Sequence, residues 1–464
     1  MYEQSKRNSL VTLIVVLLVV LGILVLLAVR MDRNQARKAE EDLLFATQQT
    51  VPTTVVAEPV TESTTEPETE PTEPPVAKLS TATIGATGDI LMHMPVVSSG
   101  YDAKTGTYNY DYIFADFRNC VNSVDYAVAN LEVTLAGTQS GFAYQGYPIF
   151  NCPDAIVTAL KNAGFDMLLT ANNHSYDTGS KGFVRTQQVV TDAGLTHIGS
   201  RPSEEVKPYY IAEVNGIKIG MINYTYDTRT YTNGRVSLNG IPLSNDHAPL
   251  MNAFNYKYLD EFYAELQGRM EEMYQDGAEA IVLYIHWGDE YQIVENGTQR
   301  KMAQQLCNLG IDVIVGNHAH VPQPVSFLTS EQDETQKTLC LYSTGNALSN
   351  IYETTQFPVN TEDGMLFTFT FAKYSDGTVL VEGVHVIPTW VYRYTENYVR
   401  KFRVLYMDDT IEDWKTLMNL DDSTMKECEE SYARTMAIVG AGVEAANQYY
   451  NENQKAVEAE LGVK

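Results

Sequence analysis

Residues 313–325 read VIVGNHAHVPQPV. Val313, Ile314 and Val315 end a short β-branched apolar run, Gly316 and Asn317 break it, and His318 and His320 follow at once. This is how a buried strand delivers side chains to a loop at a sheet edge. In extended backbone, residues two apart point the same way, so the two imidazoles are expected to converge on one point, as a metal requires. Two solvated loop histidines are the plainer alternative. The rest of the chain decides between them.

Working outward, the same pattern recurs. Residues 81–90 (TATIGATGDI) predict a strand running into Gly88 and Asp89, and residues 124–133 (VDYAVANLEV) a second one closing near Asn130 and Glu132. A third, 166–170 (DMLLT), precedes Ala171-Asn172-Asn173-His174. Residues 217–224 read as a strand, as do 280–285, which end in His286-Trp287-Gly288-Asp289-Glu290, and 339–343, which end in Thr344-Gly345-Asn346. Helical spacing falls between them at 153–163, 182–192, 256–274 and 298–309. Alternating strands and helices predict an α/β fold with a largely parallel sheet. Farther on, residues 365–372 and 378–387 alternate around Ser375-Asp376-Gly377, the pattern of a β-hairpin.

Ligands of parallel sheets bind at the carboxyl ends of the strands. Asp89, Glu132, Asn173, His174, His286, Glu290, His318 and His320 all fall there, and they include four of the eight histidines. His197, His247 and His385 read as structural or surface residues, and His93 stays open. Mixed Asp, Glu, Asn and His ligation suits Mn, Fe or Zn, often in pairs, which orient an attacking water and stabilise a developing oxyanion. Trp287 reads as a core cap. Glu290 reads as a catalytic carboxylate or as a partner that orients His286. Asp177 and Gly179 read as shaping their loop.

These residues also carry a resemblance. Gly88-Asp89-Ile90, Asn130-Leu131-Glu132, Ala171-Asn172-Asn173-His174 with Asp177 and Gly179, His286-Trp287-Gly288 with Glu290-Tyr291, Gly316, His318 and His320-Val321, and Ser343-Thr344-Gly345-Asn346 together resemble the CapA family of capsule and poly-γ-glutamate synthesis proteins. The resemblance covers roughly residues 83–388. It implies a calcineurin-like metallophosphoesterase fold, a four-layer sandwich of two mixed sheets flanked by helices. It also implies a bacterial, membrane-anchored protein acting in synthesis or export of an anionic surface polymer. In such centres the first strand supplies an Asp and, two residues later, a His. Asp89 matches the first, but Leu91 stands at the second. By the same resemblance Glu132 is the nearest candidate for the bridging carboxylate and Asn173 matches the amide ligand. His286 and His318 match ligands of one ion and His320 a ligand of the other, while His174 matches the general acid. With Leu91 in place, one ion and a weakened pair both stay open.

The remaining sequence sets the organisation. Residues 10–29 (LVTLIVVLLVVLGILVLLAV) are almost wholly apolar, and twenty helical residues rise about 30 Å, the thickness of a bilayer core. The run ends in Ala28-Val29-Arg30-Met31, without the small-x-small site of a cleaved signal. Arg30, Arg33, Arg37 and Lys38 would by charge alone draw the following chain inside. The Thr, Glu, Pro and Val-rich stretch 53–75 instead suits an extended stalk that holds a domain outside. The expected order is a tail (1–9), a transmembrane anchor (10–29), a juxtamembrane segment and linker (30–77), the CapA-like domain (78–400) and an acidic helical segment (401–464). The net charge of −27 leaves no basic surplus for nucleic acid. The five cysteines contain no C-x-x-C pair and read as small buried apolar residues. The functional expectation is a membrane-anchored hydrolase or transferase working on an anionic cell-surface polymer or its precursor, beside membrane-bound synthase subunits. A non-catalytic polymer-binding or synthase-assembly factor is the second reading, and a general extracellular phosphatase or nucleotidase rests on fold analogy alone.

Overall fold

Strand β1, Lys78–Ile90, is buried over its last seven residues, because both of its faces are covered. The computed structural model describes residues 76–139, 141–231, 234–408 and 420–460. The expected membrane span and stalk lie outside these residues. Among the described residues, no helix is long and apolar enough to cross a membrane.

Two sheets organise the chain. Sheet I opens with β1, β2 (Tyr126–Leu131), β3 (Met167–Leu169) and β4 (Thr196–Ile198), all parallel. The chain then builds sheet II from β5 (Tyr210–Val214), β6 (Ile217–Tyr226), β7 (Ala253–Phe254), β8 (Ala280–His286), β9 (Val313–Asn317), β10 (Val325–Thr329) and β11 (Lys337–Leu341). It returns to sheet I with β12 (Asn346–Leu348), β13 (Asp363–Tyr374), β14 (Val379–Glu396) and β15 (Val399–Tyr406). Sheet I runs β15-β14-β13-β1-β2-β3-β4 with β12 beside the end of β1, and sheet II runs β7-β6-β8-β9-β11-β10 with β5 beside β6.

Strand β8 shows why the two sheets are one body. Val282 and Tyr284 join Ala82, Ile84 and Ala86 of β1, Ile219 and Met221 of β6, and Val313 and Val315 of β9 in a single cluster between the sheets. Ile281, Leu283 and Ile285 face the other way, onto helices α4 (Leu259–Gln275) and α5 (Gly297–Leu309). A strand buried on both faces reads as a continuous apolar run. The outer face of sheet I is covered by α1 (Met94–Ser99), α2 (Ala155–Ala163) and α3 (Gly179–Asp192). The result is a sandwich of two sheets with helices on both outer faces.

Both sheets are mixed, as the resemblance implies and unlike the largely parallel sheet expected from strand and helix alternation alone: β13, β14 and β15 add antiparallel strands to one edge of β1, and β5 and β10 are antiparallel in sheet II. The structure departs from the sequence reading at the C-terminal end of the domain. The boundary expected at 400/401 falls inside β15, which pairs with β14 along its length. The acidic C-terminal segment contributes helix α6, Asp422–Glu460. Its Val439, Ala446 and Tyr450 complete the inter-sheet cluster, so the segment belongs to the domain. Ser431 and Arg434 bond the buried carboxylate of Asp363, the guanidinium through two nitrogens at 2.9 and 2.7 Å. Asn447 bonds both the N–H and the carbonyl of Val384 on β14.

Helix α6 passes so close to β10 that a methyl group on Gly442 would stand 1.9 Å from the Val325 carbonyl oxygen. Gly442→Ala is therefore expected to cost about 1–3 kcal/mol through overpacking, read as a lower denaturant midpoint. An unchanged midpoint would mean that the helix does not seat there.

Candidate metal centre

The carboxyl ends of sheets I and II converge on one buried polar cluster. Asp89 is the penultimate residue of β1, and the register sets it opposite Asn130 on β2 and Asn346 on β12. Gly88 lets this happen, since a side chain there would meet the Gly345 carbonyl oxygen at 1.9 Å. His286 ends β8 opposite Asn317, the last residue of β9. His318 and His320 then leave sheet II by a route the sequence reading did not foresee. Both have left-handed backbones, with φ of 96° and 56°. Extended geometry is not what brings their rings together. The chain turns so that the His318 N–H can donate to Asp89 Oδ2 at 3.2 Å. Non-glycine residues held in this region cluster at functional sites.

Each imidazole has a fixed orientation. His320 Nδ1 lies 3.0 Å from Asp89 Oδ2 and 3.1 Å from Asn346 Oδ1, which leaves Nε2 facing Glu132 at 3.9 Å. His286 Nε2 lies 2.8 Å from Asn173 Oδ1 and 3.5 Å from Glu132 Oε1, and its Nδ1 faces the Asn130 amide at 3.4 Å. His318 sits between the rings of Tyr226 and His286, at 4.9 and 4.7 Å, and its buried Nδ1 has no hydrogen-bond partner. The Asn130 amide also donates to Asp89 Oδ1 at 2.7 Å, and Asn172 donates to Asn130 Oδ1 at 3.2 Å. Thus Asn130, Asn172 and Asn346 hold the ligand set. Asn346 was legible only as part of a turn motif, and nothing in the sequence singled out Tyr226.

Glu132 lies at the centre. It is fully buried, and neither of its oxygens receives a hydrogen bond. Burial, then the charges of Asp89 and Glu290, hold its carboxyl well above the usual range. Burial also favours the neutral form of Asp89, yet the His320 hydrogen bond and the charges of His320 and His286 outweigh it and lower its pKa. Burial pushes His286 down to about 3 against the pull of Asp89. Burial and the neighbouring imidazoles put His318 well below its ordinary value. His320 moves the other way: burial opposes its charge, but the Asp89 hydrogen bond and charge raise it overall. The centre thus presents His318 with a free Nδ1 beside Glu132, whose oxygens have no hydrogen-bond partner, while Asp89 is paired with His320.

A divalent ion fits this donor set. Ligand atoms of Glu132, His318 and His320 lie within 4.8 Å of one another, as do those of Asp89, Glu132 and His286. Glu132 belongs to both groups, and its oxygens and His318 Nδ1 are the orphaned atoms that a cation would satisfy. Leu91, at the position where the resemblance expects a histidine, is buried in the core and supplies nothing.

Two other residues differ from expectation. Asp177, read as shaping its loop, faces His174 Nδ1 at 2.7 Å and also accepts from the Phe150 N–H at 2.7 Å. This leaves Nε2 as the free nitrogen of His174, whose ring packs edge-on against Phe150. Glu290, read as a catalytic carboxylate or as orienting His286, does not orient it: the His286 nitrogens face Asn173 and Asn130, and Glu290 is exposed, near enough for its charge to act on Glu132 and His320. Trp287 is a core residue bonded to the Tyr342 carbonyl. His93 packs on Phe150 and takes the Asn350 N–H, outside both ligand groups.

The chain is similar to known proteins. The family described as bacterial capsule synthesis protein PGA_cap matches residues 83–351, which contain all of these side chains. The capsule biosynthesis protein CapA of Bacillus anthracis is 27% identical over 269 residues, which cover 57% of this chain and 59% of that protein. The PGA biosynthesis protein CapA of Bacillus subtilis (strain 168) is 26% identical over 239 residues, 51% of this chain and 52% of that protein. The chain thus spans little more than half the length of these relatives. A solved structure of a putative 5'-nucleotidase from Staphylococcus aureus, in complex with alpha-ketoglutarate, aligns with 76% of this chain and 58% of its own at 12% identity. Its TM-score of 0.38 is too low to support an argument about fold or activity.

Changing His318 and His320 together to alanine removes two of the three donors in one ligand group. Elemental analysis after incubation with Mn, Fe or Zn should find about one or two ions per wild-type chain and none in the double variant. Full metal content in the variant would rule the ligand assignment out.

Proposed function

The chain belongs to the bacterial capsule synthesis protein PGA_cap family, and from that premise we propose that it acts in synthesis or export of an anionic, poly-γ-glutamate-type surface polymer. In this reading it is a metal-dependent hydrolase or transferase with a calcineurin-like metallophosphoesterase centre. The observation that carries the reading is Glu132, a buried carboxylate without hydrogen bonds among three oriented imidazoles.

Asp89, Glu132, Asn173, His286, His318 and His320 would hold the metal, as one ion or two. A bound divalent ion supplies a Lewis acid and lowers the pKa of a bound water. The residues of the chain do the rest. The Asp89 and Asn346 contacts fix His320, and Asn173 and Asn130 fix His286. Asp177 holds His174 by Nδ1, so His174 Nε2 is the atom that would give a proton to the leaving group. The reading carries further parts: anchoring through residues 10–29, an extracytoplasmic domain on the 30–77 stalk, and polymer precursor and membrane-bound synthase subunits as partners.

A second reading, a polymer-binding or synthase-assembly factor, is favoured by Leu91. Turnover separates the two. The purified chain should hydrolyse a chromogenic phosphate ester, lose that activity to a chelator, and regain it with Mn. His174→Ala should lower kcat about 10²–10⁴-fold and leave metal content unchanged. Absence of chelator-sensitive turnover would move the binding reading to the front.

A further inference from the structure

Asn173 reaches the centre from the loop after β3, and a carboxamide serves a cation only through its oxygen. The same side chain turned by half a revolution would aim an NH2 group at the ion. The two orientations have nearly the same shape, so packing alone does not choose between them. A hydrogen-bond acceptor placed at the amide nitrogen does. Among the described residues, Asn239 is the one that accepts from Asn173 Nδ2.

Asn239 stands at the tip of a small hairpin that follows β6. Ser237–Leu238 pairs antiparallel with Ile241–Pro242, and Asn239 and Gly240 turn the chain between them. Both have left-handed backbones, with φ of 47° and 74°, the tight turn that Asn-Gly forms at low cost. The Gly240 N–H donates to Thr228 Oγ1 at 2.9 Å. Leu238, Leu243, Leu250 and Met251 pack with Ala171 and Tyr176, which flank Asn173 in its loop, and with Phe183 of α3. The Tyr176 hydroxyl takes the Ser244 N–H at 3.2 Å and meets His247 Nδ1 at 3.1 Å. The hairpin is thus fastened to the loop on both sides of Asn173, and its tip is held in place. Asn239 Oδ1 accepts from Asn173 Nδ2 at 3.2 Å. With the nitrogen engaged, Asn173 Oδ1 faces His286 Nε2 at 2.8 Å, beside the ligand group of Asp89, Glu132 and His286.

We propose that Asn239 is a positioning residue of the metal centre: its side-chain oxygen holds the Asn173 amide nitrogen, so that the amide oxygen is the atom presented to a divalent cation. The proposal rests on the metal-centre reading and adds to it a residue that touches no cation itself. It also sets a preference between ions. Amide and carboxylate oxygens suit Mn, whereas imidazoles suit Zn. An Asn173 held in this orientation therefore strengthens Mn binding more than Zn binding. A hairpin that merely supported the loop would strengthen both alike.

The test is titration of the full chain, stripped by chelator, with Mn and with Zn. Asn239 is exposed, and Asn239→Gly keeps the left-handed turn while deleting the acceptor. That variant should bind Mn about tenfold more weakly, with a smaller loss for Zn. Asn239→Asp keeps an acceptor and should hold Mn at least as tightly as wild type. In an Asn173→Ala background, Asn239→Gly should change Mn affinity no further, because its effect passes through Asn173. Four results would each overturn the proposal and leave the metal-centre reading intact: wild-type Mn affinity in Asn239→Gly, equal losses of Mn and Zn, the same loss of Mn in Asn239→Asp, or a full effect in the Asn173→Ala background. A wild-type chain that takes up neither ion brings down both.

Discussion

A carboxylate taken out of water is neutralised, paired or bound to a cation, and Glu132 is out of water with neither oxygen hydrogen-bonded. The other side chains at the sheet ends are arranged around that fact. Asp89 is the carboxylate that is paired, to His320 and Asn130 and to the His318 backbone. Two carboxylates within reach of each other repel, and the two environments drive their pKa values apart. A cation placed between them reverses the cost for both.

The positioning is done by amides. Asn130, Asn172, Asn173 and Asn346 each offer donors and an acceptor without adding charge. One amide can therefore orient an imidazole and leave the electrostatics of the centre to the carboxylates. Asn130 shows this best. It bonds Asp89, faces His286 and accepts from Asn172, so three strand ends of sheet I and one of sheet II are fixed by one side chain. Ligands held this way keep their geometry without an ion present, which is the preorganisation that tight, selective metal binding needs.

Support reaches the centre from far along the chain. Helix α6 lies beyond residues 83–351, yet its Ser431 and Arg434 fix Asp363 at the start of β13. Gly364 bridges Gly345, and the Thr361 carbonyl takes the Asn346 amide. Asn346 in turn holds His320. The C-terminal helix closes the inter-sheet core and, through this relay of contacts, steadies one ligand of the centre.

Much of this was legible in the sequence. Strong period-two and continuous apolar runs marked β1, β2, β6, β8 and β9, and the polar residues that followed them fell at the strand ends where the centre forms. Leu91 already announced an incomplete first motif. Other features were illegible for physical reasons. Asp177 and Asn346 looked like turn residues because short polar side chains serve turns and ligands alike, and only the fold shows which neighbour each one meets. Glu290 reads as a catalytic carboxylate or as a partner of His286, but both His286 nitrogens meet asparagine amides instead and the Glu290 side chain is exposed. The left-handed turns at His318 and His320 and the place of α6 against the core are set by contacts with residues tens to hundreds of positions distant. Residue types and their local periodicity determined which elements form and which side chains reach the sheet ends. Which atoms then share a buried pocket, and which are left without partners, was decided by tertiary packing, because burial and hydrogen-bond satisfaction are properties of the assembled core rather than of any local stretch.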